Sequence, residues 1–179
     1  MSDHLKASLD RIAAYESTIR PSPVTRVLRR IGTTAWFAAA YRGIGPVLDP
    51  KVARIRDGAV LAKLYGFPTL IMVSTGAKSG QPRTSPLLYL RTGLDIVVVG
   101  TNFGQPSHPG WTANLLAHPK AVVTIGGVTI EVSASLLGEE EWREQFPRFV
   151  TLYPGYANYI ERRQGLTPRM FRLTPTQAA

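Results

Sequence analysis

The chain has 179 residues, 44% hydrophobic and 18% charged, which fits one domain with a proper core and excludes a disordered tail. It contains no cysteine, so disulfides, iron–sulfur clusters, thiolate zinc sites and cysteine nucleophiles are excluded, and His4, His108 and His118 match no zinc spacing. With 21 basic against 12 acidic residues the net charge is +9, a field that attracts nucleic acid, anionic lipid or small polyanions without choosing among them.

The opening MSDHLKASLD lacks the basic-then-apolar pattern of a signal peptide. The weakly polar run from Ile31 to Tyr41 is about half the ~20 residues of a spanning helix. A soluble, cytoplasmic protein is therefore expected. Residues 1–57 read as a helical N-terminal extension and 58–179 as the main domain. Leu5, Leu9, Ile12 and Ile19 recur at helical spacing, and Pro21 and Pro23 stop that helix. Val24, Val27, Leu28, Ile31 and Ala35 form a second apolar face, with Arg26, Arg29 and Arg30 on its other sides. With Trp36 and Phe37 nearby, that basic face suits peripheral contact with an anionic membrane. Packing on the domain as an ordinary amphipathic helix is the simpler expectation. Asp49 and Pro50 then offer an N-cap and a first helical position.

From Pro68 the period changes. PTLIMVST, TSPLLYLR, LDIVVVGT, AVVTIGG, VTIEVSASLL and TPRMFRLT are short, β-branched and punctuated by Gly, Pro and Asp, as strands are. Gly126-Gly127 signals a tight turn between two of them. GWTANLLAHP reads as a short helix. EEEWREQFPRFVTLYPGYANYIERR reads as a helix with an acidic start, a break near Pro154 and a second helix. The pattern predicts an α+β fold built on a small antiparallel barrel of about six strands with peripheral helices.

Three stretches carry candidate chemistry. STGAKSGQPR, residues 74–83, places Gly76 and Gly80 around Lys78, Ser79 and Arg83 between two strands. Glycines there let backbone N–H groups form an anion-binding nest, and the lysine and arginine add charge suited to phosphate or carboxylate. A solvated basic hairpin is the plainer alternative. TNFGQPSHPGWTANLLAHP, residues 101–119, is a turn-rich loop feeding a helix whose N-terminus can meet an anion or ring carbonyl. Trp111 and Asn114, three apart, are expected to share a face and line a flat ring, unless Trp111 is a core anchor. LYPGYANYIERR repeats Tyr153, Tyr156 and Tyr159 every three residues, a stripe that either packs in the core or lines a pocket with phenols.

Taken together and in this order, these stretches resemble the deazaflavin-dependent nitroreductase family of split β-barrel oxidoreductases, related to FMN-binding, pyridoxamine-phosphate-oxidase-like proteins. The resemblance covers most of residues 68–165 and implies a reductase using coenzyme F-420 on a quinone, enone or nitroaromatic acceptor. It implies that Lys78, Ser79, Gly80 and Arg83 hold the coenzyme's phosphate and polyglutamate tail. Pro86 and Leu87 would pass the deazaflavin ring, Thr101 and Asn102 would lie near ring and substrate, and Trp111 and Asn114 would belong to a helix closing over the coenzyme. Tyr153, Tyr156 and Tyr159 would shape the substrate pocket, with Tyr156 the best candidate for orienting substrate or donating a proton. Departures are Ala77 for a usual basic residue, Leu88 where some relatives have tyrosine, and Thr101 where some have serine. A monomer or homodimer without metal or nucleic acid is expected. The alternatives are an FMN-dependent split-barrel reductase, a non-catalytic deazaflavin carrier, and a basic nucleic-acid-binding barrel that no recognised motif supports.

Overall fold

The alternation of β-branched residues after Pro68 does produce strands. The computed structural model describes residues 2–20, 66–162 and 165–178. Six antiparallel strands run β1 (Thr69–Thr75), β2 (Pro82–Thr92), β3 (Asp95–Gly100), β4 (Lys120–Ile125), β5 (Val128–Leu136) and β6 (Arg169–Ala178). They close into a barrel in the order β1-β2-β3-β6-β5-β4, with β4 pairing back onto β1. Closure leaves no long free strand edge within that sheet, which removes the pairing hazard of an open sheet. The expected barrel and its strands are therefore present, and the two-residue Gly126-Gly127 turn joins Ile125 to its partner Val128. Both glycines have positive φ, +55° and +79°, as a tight hairpin of this kind requires.

Among the described residues, four α-helices lie around the barrel: α1 (Asp3–Glu16), α2 (Gly110–Ala117), α3 (Glu139–Leu152) and α4 (Gly155–Arg162). Ser2 caps α1 by accepting the Leu5 N–H at 3.3 Å. Leu5, Leu9 and Ile12 are buried in the same cluster as the barrel residues Leu70, Met72, Tyr89, Val98, Ile130 and Phe171. Each such side chain contributes ~1.5–3 kcal/mol by leaving water, so α1 is part of the core. Its end differs from expectation. The helix stops at Glu16, well before Pro21, because the Ser17 and Thr18 hydroxyls fold back onto the Ala14 and Tyr15 carbonyls, both at 2.7 Å. Ile19 thus falls outside it. The expectations for the second apolar face, its arginines, Trp36, Phe37 and the Asp49 cap lie outside the described residues.

Two contacts fix α1 to the barrel. The Tyr15 ring lies over the β4–β5 turn, where a Cβ added to Gly126 would fall 2.3 Å from it. Glu16 accepts a hydrogen bond from the Tyr89 hydroxyl at 2.8 Å and lies 3.9 Å from the Arg91 guanidinium. Tyr89 comes from β2 and points into the barrel. Its neighbours Leu88 and Leu90 point outward, into a second apolar layer with Val97, Val99 and Met170 beneath α3 and α4.

Candidate active site

The cationic turn sits between β1 and β2, where Thr75 pairs with Pro82. Gly76 is buried, and a Cβ there would lie 2.6 Å from the Ser79 hydroxyl and 3.1 Å from the Gln81 carbonyl, so a side chain would have to displace Ser79 and press on the turn's backbone. Gly80 has φ +66°. The expected nest of glycine amides does not form as such, because those N–H groups are already used. Gly76 N–H bonds to the Gln81 carbonyl at 2.9 Å, Gly80 N–H to the Gly76 carbonyl at 2.8 Å, and Gln81 N–H to the Ser79 hydroxyl at 3.3 Å. Among the described residues, nothing in the protein accepts from the Lys78 or Ser79 N–H. Lys78, Ser79, Gly80 and Arg83 are all exposed. The turn is thus a rigid, outward-facing platform bearing two cations, two available N–H groups and a hydroxyl.

Helix α2 holds this platform. Asn114 Oδ1 accepts the Ala77 N–H at 3.0 Å, and Asn114 Nδ2 donates to the buried Ser74 hydroxyl at 3.2 Å. On the other flank, Thr112 and Pro109 pack against Gly100, where an added Cβ would lie 2.7 Å from the Thr112 methyl. Trp111 corrects an expectation. It does not line a ring pocket beside Asn114 but points into the barrel core, 5.8 Å from the Phe171 ring centroid, and anchors α2 there. Leu87 likewise packs against the barrel interior, so only its backbone is available to a ligand on the outer face, the side that strand alternation gives Pro86.

After β3 the chain makes a short 3-10 turn over 102–104. Thr101 is buried, and its carbonyl accepts the Gly104 N–H at 3.0 Å. Asn102 and Phe103 both adopt positive φ, +48° and +53°, and Asn102 Nδ2 bonds to the Ser107 carbonyl and hydroxyl, each at 3.1 Å. Asparagine tolerates that region. Phenylalanine does not without strain of ~1–2 kcal/mol.

The tyrosines form a corner rather than a stripe. Tyr153 caps the C-terminus of α3, whereas Tyr156 and Tyr159 lie on α4, one turn apart. Pro154 turns the chain between them. Gly155 makes the corner possible, because a Cβ there would fall 2.4 Å from the Tyr153 ring. The three rings meet edge-on or tilted, with centroids 5.4–6.2 Å apart. The Tyr153 and Tyr159 hydroxyls are 3.4 Å apart. All three are buried, and burial, as the largest cause, raises their pKa values above the ordinary phenol value. They therefore stay protonated at physiological pH.

A family model for F420H(2)-dependent quinone reductases matches residues 49–169. The chain belongs to that family. The F420H(2)-dependent quinone reductase Rv1261c of Mycobacterium tuberculosis (strain ATCC 25618 / H37Rv) is 40% identical over 88 residues, 49% of this chain and 59% of that protein, so the match spans well under two thirds of its length. A solved structure of an F420-H2 dependent reductase, FDR-A, is 32% identical, with a TM-score of 0.54 over 59% of this chain and 93% of its own. A second, described as a domain-swapped dimer, is 26% identical with a TM-score of 0.55 over 72% and 98%. At 16% identity and a TM-score of 0.50, the haem storage protein HutZ of Vibrio cholerae shares the fold alone. Among the described residues of this quinone reductase family member, no helix is long and apolar enough to cross a membrane.

Sequence reasoning missed three features of this family member's site: the Asn114 clamp, the left-handed pair Asn102–Phe103 and the Gly155 corner. An asparagine in a short turn-rich stretch, two residues before Gly104, was a usable signal for a left-handed turn. The Asn114 contact spans 37 positions and has no local signature.

Proposed function

We propose that the protein is a reductase that takes its electrons from reduced coenzyme F-420 and passes them to a quinone-type acceptor. The main support is that one family match, over residues 49–169, spans the cationic turn, the strained loop and the tyrosine corner together. The donor set of the turn suits the coenzyme: two exposed cations, a hydroxyl and available N–H groups fit a phosphodiester and polyglutamate tail. When bound, the reduced coenzyme supplies a hydride from its deazaflavin ring.

The chain's own residues do the rest. Lys78 and Arg83 would hold the anionic tail, and the +9 net charge would steer it inward. Asn114 acts through the turn, because both ends of its amide are already engaged with Ser74 and Ala77. Pro86, Thr101 and Asn102 would border the ring. A quinone that gains a hydride also needs a proton, and Tyr156, or the hydroxyl pair of Tyr153 and Tyr159, is a neutral phenol able to give one. The buried aromatic corner excludes water from the acceptor, and holding the acceptor in place supplies much of the rate.

Titration with oxidised and reduced coenzyme, read by deazaflavin fluorescence, followed by turnover with menadione, tests this reading. Tight binding without turnover would instead identify a coenzyme carrier. Preference for FMN over the deazaflavin would move the protein to the flavin-dependent reductases. A homodimer in the cytoplasm is part of the proposal, the dimer being supported by the relative described as domain-swapped. Light scattering checks the dimer.

A further inference from the structure

Among the described residues, only Asn102 and Phe103 combine a side chain with positive φ. A bulky aromatic kept in the left-handed region marks a position held against backbone preference, where glycine would sit without strain. The surroundings fix that position on three sides. The Phe103 ring meets Tyr159 edge-on, with centroids 6.2 Å apart and planes at 71°. Gly104 rests directly on α4, where an added Cβ would lie 3.1 Å from Arg162 Cβ and 3.2 Å from Tyr159 Cα. Asn102 closes the loop onto Ser107. Phe103 therefore cannot swing away unless the loop lifts off the helix. It packs in the same layer as Tyr153 and Tyr156 and is the one aromatic that the post-β3 loop adds to it.

We propose that Phe103 is a specificity-determining residue whose ring extends the tyrosine wall and favours flat aromatic quinones over non-aromatic enones. The inference rests on the reductase reading above. Edge and face contacts between rings add attraction beyond buried area, and an alicyclic acceptor gains none of it.

The test compares wild type with Phe103→Gly and Phe103→Leu. Glycine suits φ +53° but gives up the ring's packing against Tyr159, so the thermal midpoint of the first variant is expected to fall modestly; leucine keeps bulk without a ring and carries the test if the first fails to fold. Four quantities are measured: the midpoint, the Kd for oxidised coenzyme, menadione binding to coenzyme-loaded protein by quenching of intrinsic fluorescence, and kcat/KM for menadione and cyclohex-2-en-1-one. Coenzyme Kd should stay within about twofold. Menadione affinity and kcat/KM should fall about five- to tenfold in Phe103→Gly and by an intermediate factor in Phe103→Leu, with cyclohexenone changed less than about twofold. A menadione-to-cyclohexenone ratio within about twofold of wild type overturns the inference, as does a Phe103→Leu variant equal to wild type, since bulk alone would then suffice. Wild type that binds no coenzyme and reduces neither acceptor fails the reductase reading itself, and the inference falls with it.

Discussion

Asn114 accepts the Ala77 N–H, not any group of its side chain, at 3.0 Å. The grip of α2 on the cationic turn therefore runs through the backbone and does not depend on the side chain at 77. Asn114→Ala removes both bonds and frees the Ala77 N–H and the buried Ser74 hydroxyl. It should cost about 1–3 kcal/mol in urea unfolding and weaken coenzyme binding about tenfold by fluorescence titration. Unchanged coenzyme affinity in a destabilised variant would separate the clamp from ligand binding.

Lys78 and Arg83 are exposed, and among the described residues no salt bridge engages either. Replacing both by alanine should leave stability within about 0.5 kcal/mol. Coenzyme affinity should drop at low salt, and its dependence on salt should flatten, because the double variant loses two of the charges that salt screens. Titrations at two ionic strengths measure both effects.

Tyr156→Phe keeps the ring contacts with Phe149 and Tyr153 but removes the hydroxyl. Turnover with menadione should fall about tenfold or more, while coenzyme Kd changes less than about twofold. Equal losses in both would assign Tyr156 to binding rather than proton donation.

Tyr89, Tyr153, Tyr156 and Tyr159 all have raised pKa values, chiefly from burial. In the unfolded chain a phenol loses its proton near pH ~10. Above that pH the folded state keeps protons that the unfolded state has lost, so stability is fully present below about pH 10 and declines as pH rises toward the folded values. Denaturation midpoints from pH 8 to 11 should show that fall. Tyr153→Phe should reduce its slope by ~1.4 kcal/mol per pH unit.

The Tyr89 hydroxyl gives Glu16 its hydrogen bond inside the α1–barrel seam. Tyr89→Phe should cost about 1–3 kcal/mol, as expected when a hydrogen bond to a charged partner is removed. Coenzyme affinity should be untouched, since Tyr89 faces the barrel interior. Urea melts and the fluorescence titration read the two sides of that prediction.

The barrel was legible because its strands announce themselves locally. Each is short, β-branched and bounded by turn residues, and Gly126-Gly127 even names its turn type. The end of α1 was less legible, because two hydroxyls stop the helix before the prolines can. At the site, residue types could be read but not directions. Trp111 and Asn114 are three apart, yet one enters the core and the other reaches sideways to β1. The break near Pro154 could be read, but not that Gly155 lets the chain fold back there and turn the tyrosine stripe into a corner. Side-chain direction at such places is set by long-range packing, which periodicity does not encode.

Strand β2 carries two independent jobs on alternate residues: Leu87 and Tyr89 look into the barrel, while Leu88 and Leu90 lie under the α3–α4 layer. Substitutions on the outward row can reshape the aromatic layer without disturbing the seam that fixes α1. Leu88 sits on that outward row. One strand can thus diversify its chemistry at every second position while the intervening ones conserve the architecture, so that substrate range can drift across such a lineage with little change in thermal stability.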